Sequence, residues 1–217
     1  MQLDLGYYDI SPEISKDLGV FPGDIAFARE ISYDFKKGDH LLLSSINTTL
    51  HIGAHADAPN HYHPQGLGIA ARDLKTYFGK CEVREVYIGR GERIELKHVQ
   101  GWQPRAKRVL FKTGTFPDPN HWNSDFAALS PKLIEYLAYH GVILVGIDTP
   151  SIDPEDAKDL ISHHAVAQNN LAILEGLILS EVPEGLYSLI ALPLRIRDAD
   201  AAPVRAILHK SPELFSE

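Results

Sequence analysis

The stretch HIGAHADAPNHYH, residues 51–63, crowds four histidines and an aspartate into thirteen positions. Eleven histidines spread evenly over 217 residues would leave about 0.7 in such a window. Leu50, Ile52, Ala54, Ala56 and Ala58 take the even positions, whereas His51, Gly53, His55, Asp57, Pro59 and His61 take the odd ones. A period of two belongs to an extended strand, which turns the apolar side chains to one face and His51, His55 and Asp57 to the other. A helix would align His51 with His55 but carry Asp57 away, and Gly53 and Pro59 both oppose it. Pro59 ends the ladder, so His61 and His63 are expected on the following loop, free to lean back over the same face.

Two imidazoles and a carboxylate at this spacing offer three N and O ligands, which suit Zn²⁺ and also Mn²⁺ or Fe²⁺. Three protein ligands leave a position for water, the condition of a catalytic site. The alternative is a polar strand face, or a histidine cluster without a ligand role. Far along the chain, Glu175 stands inside the apolar run LAILEGLIL (171–179). A buried unpaired carboxylate there would be strongly unfavourable, so either a second cation neutralises it or the strand lies at an edge with Glu175 in water.

Outward from these residues the chain reads as a mixed α/β domain. VREVYIG (83–89), RVLFKT (108–113), GVILVGID (141–148), LAILEGLIL and YSLIALPLRI (187–196) are strand-like, rich in β-branched and aliphatic residues and bounded by Gly, Pro or Asp. A helix is predicted over 131–140, with Ser130 as N-cap, Pro131 in the first turn, Leu133, Ile134 and Leu137 as apolar stripe and Gly141 at the end. A second is predicted from Pro154, capped by Asp153, with Ala157, Leu160, Ile161, His164 and Ala165 on one face. That phase turns His164 toward the core and His163 about 100° away. Asp148, after the aliphatic strand 142–147, is expected to support a site or a turn.

With 29 acidic against 21 basic residues the net charge is −8, and no basic stripe suited to nucleic acid is present. No apolar run has membrane-spanning length, and MQLDLGYYDI lacks the features of a secretion signal, so a cytoplasmic protein is expected. The single Cys81 excludes an internal disulfide and reads as a buried, inert thiol. His40, His98, His121, His140 and His209 read as surface or packing residues. No G-x-S-x-G elbow, H-E-x-x-H or P-loop occurs, which argues against serine hydrolases, zincins and P-loop nucleotide hydrolases.

HIGAHADAPNHYH resembles the H-x-G-x-H-x-D-x-P-x-H signature of the cyclase-like family of metal-dependent amide hydrolases. The likeness continues through DISPEI, FPGD, GIDTPSIDPEDAKDL, LAILEGLIL, LIALPLRI and DADAAPVRAIL. ILEGL and the PVRA ending favour the bacterial kynurenine formamidase (arylformamidase) branch. The resemblance implies a single domain over 1–217 with a swivelling β/β/α core, in a homo-oligomer, commonly a dimer. It implies two divalent ions, Zn²⁺ first and Mn²⁺ as alternative. His51, His55 and Asp57 would hold one, and Asp57 would bridge to a second held by His163 and Glu175. The family's helix histidine lies twelve residues before the glutamate, which selects His163 over His164. His61 matches the catalytic histidine. The branch tends to carry Trp before Pro-Gly-Asp, where this chain has Phe21, an aromatic platform without the indole N–H. The implied activity is hydrolysis of an aryl formamide, N-formyl-L-kynurenine, to L-kynurenine and formate in tryptophan degradation. Two rivals stand beside it, a related aryl or cyclic amide hydrolase such as one opening isatin, and a non-catalytic metal-binding protein.

Overall fold

The computed structural model describes residues 6–215; the first five residues of MQLDLGYYDI, read above for a signal, lie outside them. Among the described residues, thirteen strands and two α-helices follow one another. The strands are β1 (Tyr7–Asp9), β2 (Ala28–Tyr33), β3 (Leu43–Asn47), β4 (His55–Asp57), β5 (Phe78–Glu85), β6 (Arg93–Ile94), β7 (Arg108–Lys112) and β8 (Ala128–Leu129). After helix α1 (Pro131–Tyr139) comes β9 (Leu144–Ile147), and after helix α2 (Ile161–Gln168) come β10 (Ala172–Glu175), β11 (Gly185–Ile190), β12 (Ala201–Pro203) and β13 (Ile207–His209).

Nine strands form one sheet in the order β1-β13-β11-β5-β7-β9-β10-β4-β12. The segment β5-β7-β9-β10 is parallel, and the flanking pairs are antiparallel. This is the mixed α/β architecture that the sequence led us to expect. Side chains alternate between two cores. Val109, Phe111, Val145, Ile147 and Ile173 pack with Leu133, Ile134 and Leu137 of α1 and Ala165 and Val166 of α2. Leu110, Leu144, Leu174 and the alanines 54, 56 and 58 fill the core on the opposite face. The even-numbered alanines are therefore buried as their period of two predicts, and His55, Asp57 and Glu175 project toward the helical layer.

Helix α1 matches its sequence signals: the Ser130 hydroxyl accepts from the Leu133 N–H at 3.2 Å, and Pro131 opens the first turn. Three expectations need correction. The strand carrying His55 and Asp57 is only three residues long. His51 lies in the turn before it, because Gly53 adopts a left-handed φ of 58° and breaks the extension. The second helix starts at Ile161, seven residues beyond Pro154, since Leu160 is left-handed at φ 43°. With Ala157 and Leu160 outside the helix, the assumed stripe dissolves. Ser162, His163, Ala165 and Val166 are the buried residues, while His164 is exposed. Among the described residues no helix is long and apolar enough to cross a membrane.

Candidate active site

The antiparallel β4–β10 pairing sets Glu175 directly opposite His55, and Ile173 opposite Asp57. Because β10 lies between β9 and β4 in the sheet, Glu175 is on an interior strand and buried, which removes the solvent-facing alternative. Helix α2 brings His163 down on the same spot. Asp57 Oδ1 lies 3.1 Å from His51 Nδ1 and 3.5 Å from His55 Nε2. Glu175 Oε2 is 3.2 Å from His55 Nε2. His163 Nε2 is 3.4 Å from Asp57 Oδ2 and 3.5 Å from Glu175 Oε1. All five sequence-predicted ligands converge in this way.

Each of the three imidazoles has one ring nitrogen anchored and the other aimed at the carboxylates. His55 Nδ1 lies 2.9 Å from the Gly53 carbonyl, which can only accept, so Nε2 presents its lone pair to Asp57 and Glu175. His163 Nδ1 is 2.8 Å from Asp153, and His51 Nε2 is 2.9 Å from Asp200. Orientation of a ligating ring through its second nitrogen is the usual support of a metal site. Both Asp57 oxygens and His55 Nε2 are buried without a hydrogen-bond partner. Burying such atoms unpaired costs several kcal/mol, roughly, unless a cation takes them up. The N and O donors fit a divalent ion with borderline or hard preferences.

The donors fall into two groups whose ligand atoms lie within 4.8 Å of one another, His51 with Asp57 and His61, and His55 with Asp57 and Glu175. Asp57 is common to both, as a bridging carboxylate would be. His61, at the end of the 3₁₀ turn Pro59–His61, stacks beside His51 with ring centroids 4.3 Å apart.

The electrostatics follow from this crowding. Burial opposes charge on His51, but the neighbouring carboxylates of Asp57 and Asp200 outweigh it and raise its pKa to about 9. Burial likewise works against charge on His163, yet Asp153, Asp57 and Glu175 hold its pKa well above the ordinary value. Partial burial lowers the pKa of His61. That leaves its ring neutral at neutral pH and able to accept a proton.

Two supporting residues went unassigned in the sequence. Asp153 was read only as a helix cap. From nine residues upstream it accepts from the Ser162 N–H, and it also takes the His163 N–H, the His163 ring and Arg93. Asp200 sits in the DADAAP stretch just before β12, which pairs with β4; no local pattern separates it from a turn aspartate. Asp148 accepts from the Thr113 N–H, the Gly114 N–H and the Thr113 hydroxyl, the structural part expected of it. Cys81 is buried and its thiol pKa is pushed up by burial, in keeping with an inert packing role.

Over the cluster opens a cavity of about 390 Å³ that also includes Phe21 and Trp122 in its walls. Phe21 meets Trp122 edge-on with ring centroids 5.5 Å apart. Trp122, 101 residues from Phe21 in the chain, was not foreseen as a site residue.

Residues 8–154 match the family model described as putative cyclase, and the chain belongs to that family. Within it, the chain is 44% identical over 206 residues to the kynurenine formamidase of Bordetella pertussis, spanning 94% of this chain and 97% of the relative. The kynurenine formamidase of Bordetella bronchiseptica matches to the same extent. A solved structure described as a potential metal-dependent hydrolase with cyclase activity superposes with a TM-score of 0.81 at 26% identity, over 95% of this chain and 98% of that one. An isatin hydrolase bound to the product analogue thioisatinate shares the fold, with a TM-score of 0.79 at 17% identity over 93% and 91% of the two chains.

Proposed function

We propose that residues 1–217 form one hydrolase domain that cleaves N-formyl-L-kynurenine to L-kynurenine and formate. The metal dependence is carried by one observation: three anchored imidazoles converge on two buried carboxylates, and neither Asp57 oxygen receives a hydrogen bond. The near-full-length likeness to the Bordetella formamidases supports the substrate. His51, His55, Asp57, His163 and Glu175 would hold two divalent ions, Zn²⁺ first and Mn²⁺ as alternative. Bound there, such ions supply Lewis acidity toward the formyl oxygen and lower the pKa of water.

The chain's own residues do the rest. Phe21 packs the aryl ring beside the cluster. His61, neutral and at the mouth of the cluster, accepts the proton of the water that attacks the formyl carbon. As the C–N bond breaks, His61 returns that proton to the aniline nitrogen. While protonated, it also faces the charge developing on the carbonyl oxygen.

The reading includes a cytoplasmic homodimer. Every residue of strands β2 and β3 is exposed, including Ile31 and Leu43, and Ile46 is 66% exposed. Apolar surface on that scale suits a partner surface, and a single-copy mass by light scattering would reject the dimer. A lone buried cysteine accords with a reducing compartment; cell fractionation checks it.

Formate release from N-formyl-L-kynurenine tests the function directly. Activity should vanish when the metal is stripped and return with Zn²⁺ or Mn²⁺. Failure in every metal state, with isatin opened instead, would favour the cyclic-amide reading.

A further inference from the structure

The cavity above the cluster has an unusual charge lining. Five acidic residues, Asp24, Asp148, Glu155, Glu175 and Asp200, line it, and among the described residues neither lysine nor arginine does. Four of these have partners described above or nearby. Asp148 binds the Thr113–Gly114 backbone, Glu175 faces His55 and His163, Asp200 holds His51 and Asp24 accepts from the Thr49 hydroxyl. Glu155 differs. Its Oε2 accepts from the indole N–H of Trp122, and among the described residues it forms no ion pair and its Oε1 has no hydrogen-bond partner.

Trp122 in turn is part of the aromatic wall, edge-on to Phe21 and to Phe116 with centroids 5.5 Å away in both cases. A neutral N–H thus fixes a negative charge at the rim of the slot in which an aryl ring would lie. N-formyl-L-kynurenine joins its formanilide ring to an amino-acid end that bears an α-ammonium group. With the formyl group over the cluster and the ring on Phe21, that end reaches toward the slot's wall.

We propose that Glu155, oriented by Trp122, is a specificity residue that receives the α-ammonium group, so that this site selects aryl formamides carrying a cationic amine. The proposal rests on the formamidase reading above. The α-carboxylate, with neither lysine nor arginine among the described residues lining the cavity to meet it, faces solvent. A hydrogen bond assisted by charge on both partners is stronger than a neutral one and sensitive to loss of either charge.

The probes are N-formyl-L-kynurenine and 4-(2-formamidophenyl)-4-oxobutanoate, which differ only in the amine. The metal-loaded wild-type protein should prefer the first in kcat/KM by about tenfold or more. In Glu155→Gln the amide oxygen still accepts from Trp122, so the wall is kept while the charge is lost, and the preference should fall to near unity. Added salt should also erode the wild-type preference, because a pair at the cavity rim is screened. A ratio unchanged in Glu155→Gln, or a wild-type preference that is absent or independent of salt, overturns the proposal while leaving the formamidase activity standing. Hydrolysis of neither compound overturns the formamidase reading, and this inference with it.

Discussion

His61 is the residue whose proposed role differs most from its neighbours'. Its side chain is 34% exposed and lies 3.9 Å from Asp200 through Nδ1, while the imidazoles of His55 and His163, proposed as ligands, are sealed beneath it. Replacing His61 with alanine should leave the metal content intact and lower turnover by about 10²–10⁴-fold, the usual range for loss of a general acid or base. Metal analysis beside the formate assay checks this: full turnover refutes the role, and loss of one metal would make His61 a ligand. At this scale the sequence showed His51, His55, Asp57 and His61 through one local pattern. It failed on His163 against His164, since helical phase was extrapolated through Leu160, where the backbone is left-handed. Only the family spacing selected the residue that the structure buries.

At the scale of elements, the cluster depends on a close backbone crossing. Gly176 follows Glu175 at φ +66°, and a Cβ there would lie 2.1 Å from the Gly53 carbonyl oxygen. That same carbonyl orients His55, so β10 and the turn before β4 are locked at the point where their proposed ligands meet. Gly176→Ala combines a left-handed penalty with a steric clash against backbone, about 3 kcal/mol together. Thermal or urea unfolding should show that loss, and metal affinity should fall with it; wild-type stability in the variant would mean that the crossing relaxes freely. The individual strands were legible as short aliphatic runs, but their ends were not. The run 141–148 became a strand only over Leu144–Ile147, and β10 stops at Glu175 because Gly176 turns the chain.

For the whole molecule, metal, protons and stability are linked. Without metal, His51 is charged in the folded chain up to about pH 9, whereas in the unfolded chain it loses its proton near the ordinary histidine value of about 6.5. A raised folded pKa contributes stability that is complete below about 6.5 and is lost as pH climbs through about 9. The chelated protein should therefore melt at steadily lower temperature from pH 6.5 to pH 9, and metal uptake in that window should release protons. Loading at a hundredfold excess over Kd adds about 2.7 kcal/mol, worth roughly 5–10 °C in a chain of this size. Melting curves with chelator and with Zn²⁺ at the two pH values test both statements; a chelated Tm that rises with pH would contradict the charge assignment at His51.

What the sequence determined by itself was local and periodic: the alternation that buries Ala54, Ala56 and Ala58 and turns His55 and Asp57 to the other face, the Ser130 cap of α1, and the oddity of Glu175 in an apolar strand. Each follows from geometry repeated within a few residues, where backbone period and side-chain direction are coupled. Only the tertiary structure decided which distant groups meet them. The pairing of β4 with both β10 and β12 brings Glu175 and Asp200 to His55 and His51, α2 adds His163 with Asp153 behind it, and a contact across 33 residues sets Glu155 on Trp122. Such encounters are fixed by the joint burial of two cores on either side of one sheet, a sum over the whole chain that no single window of sequence contains.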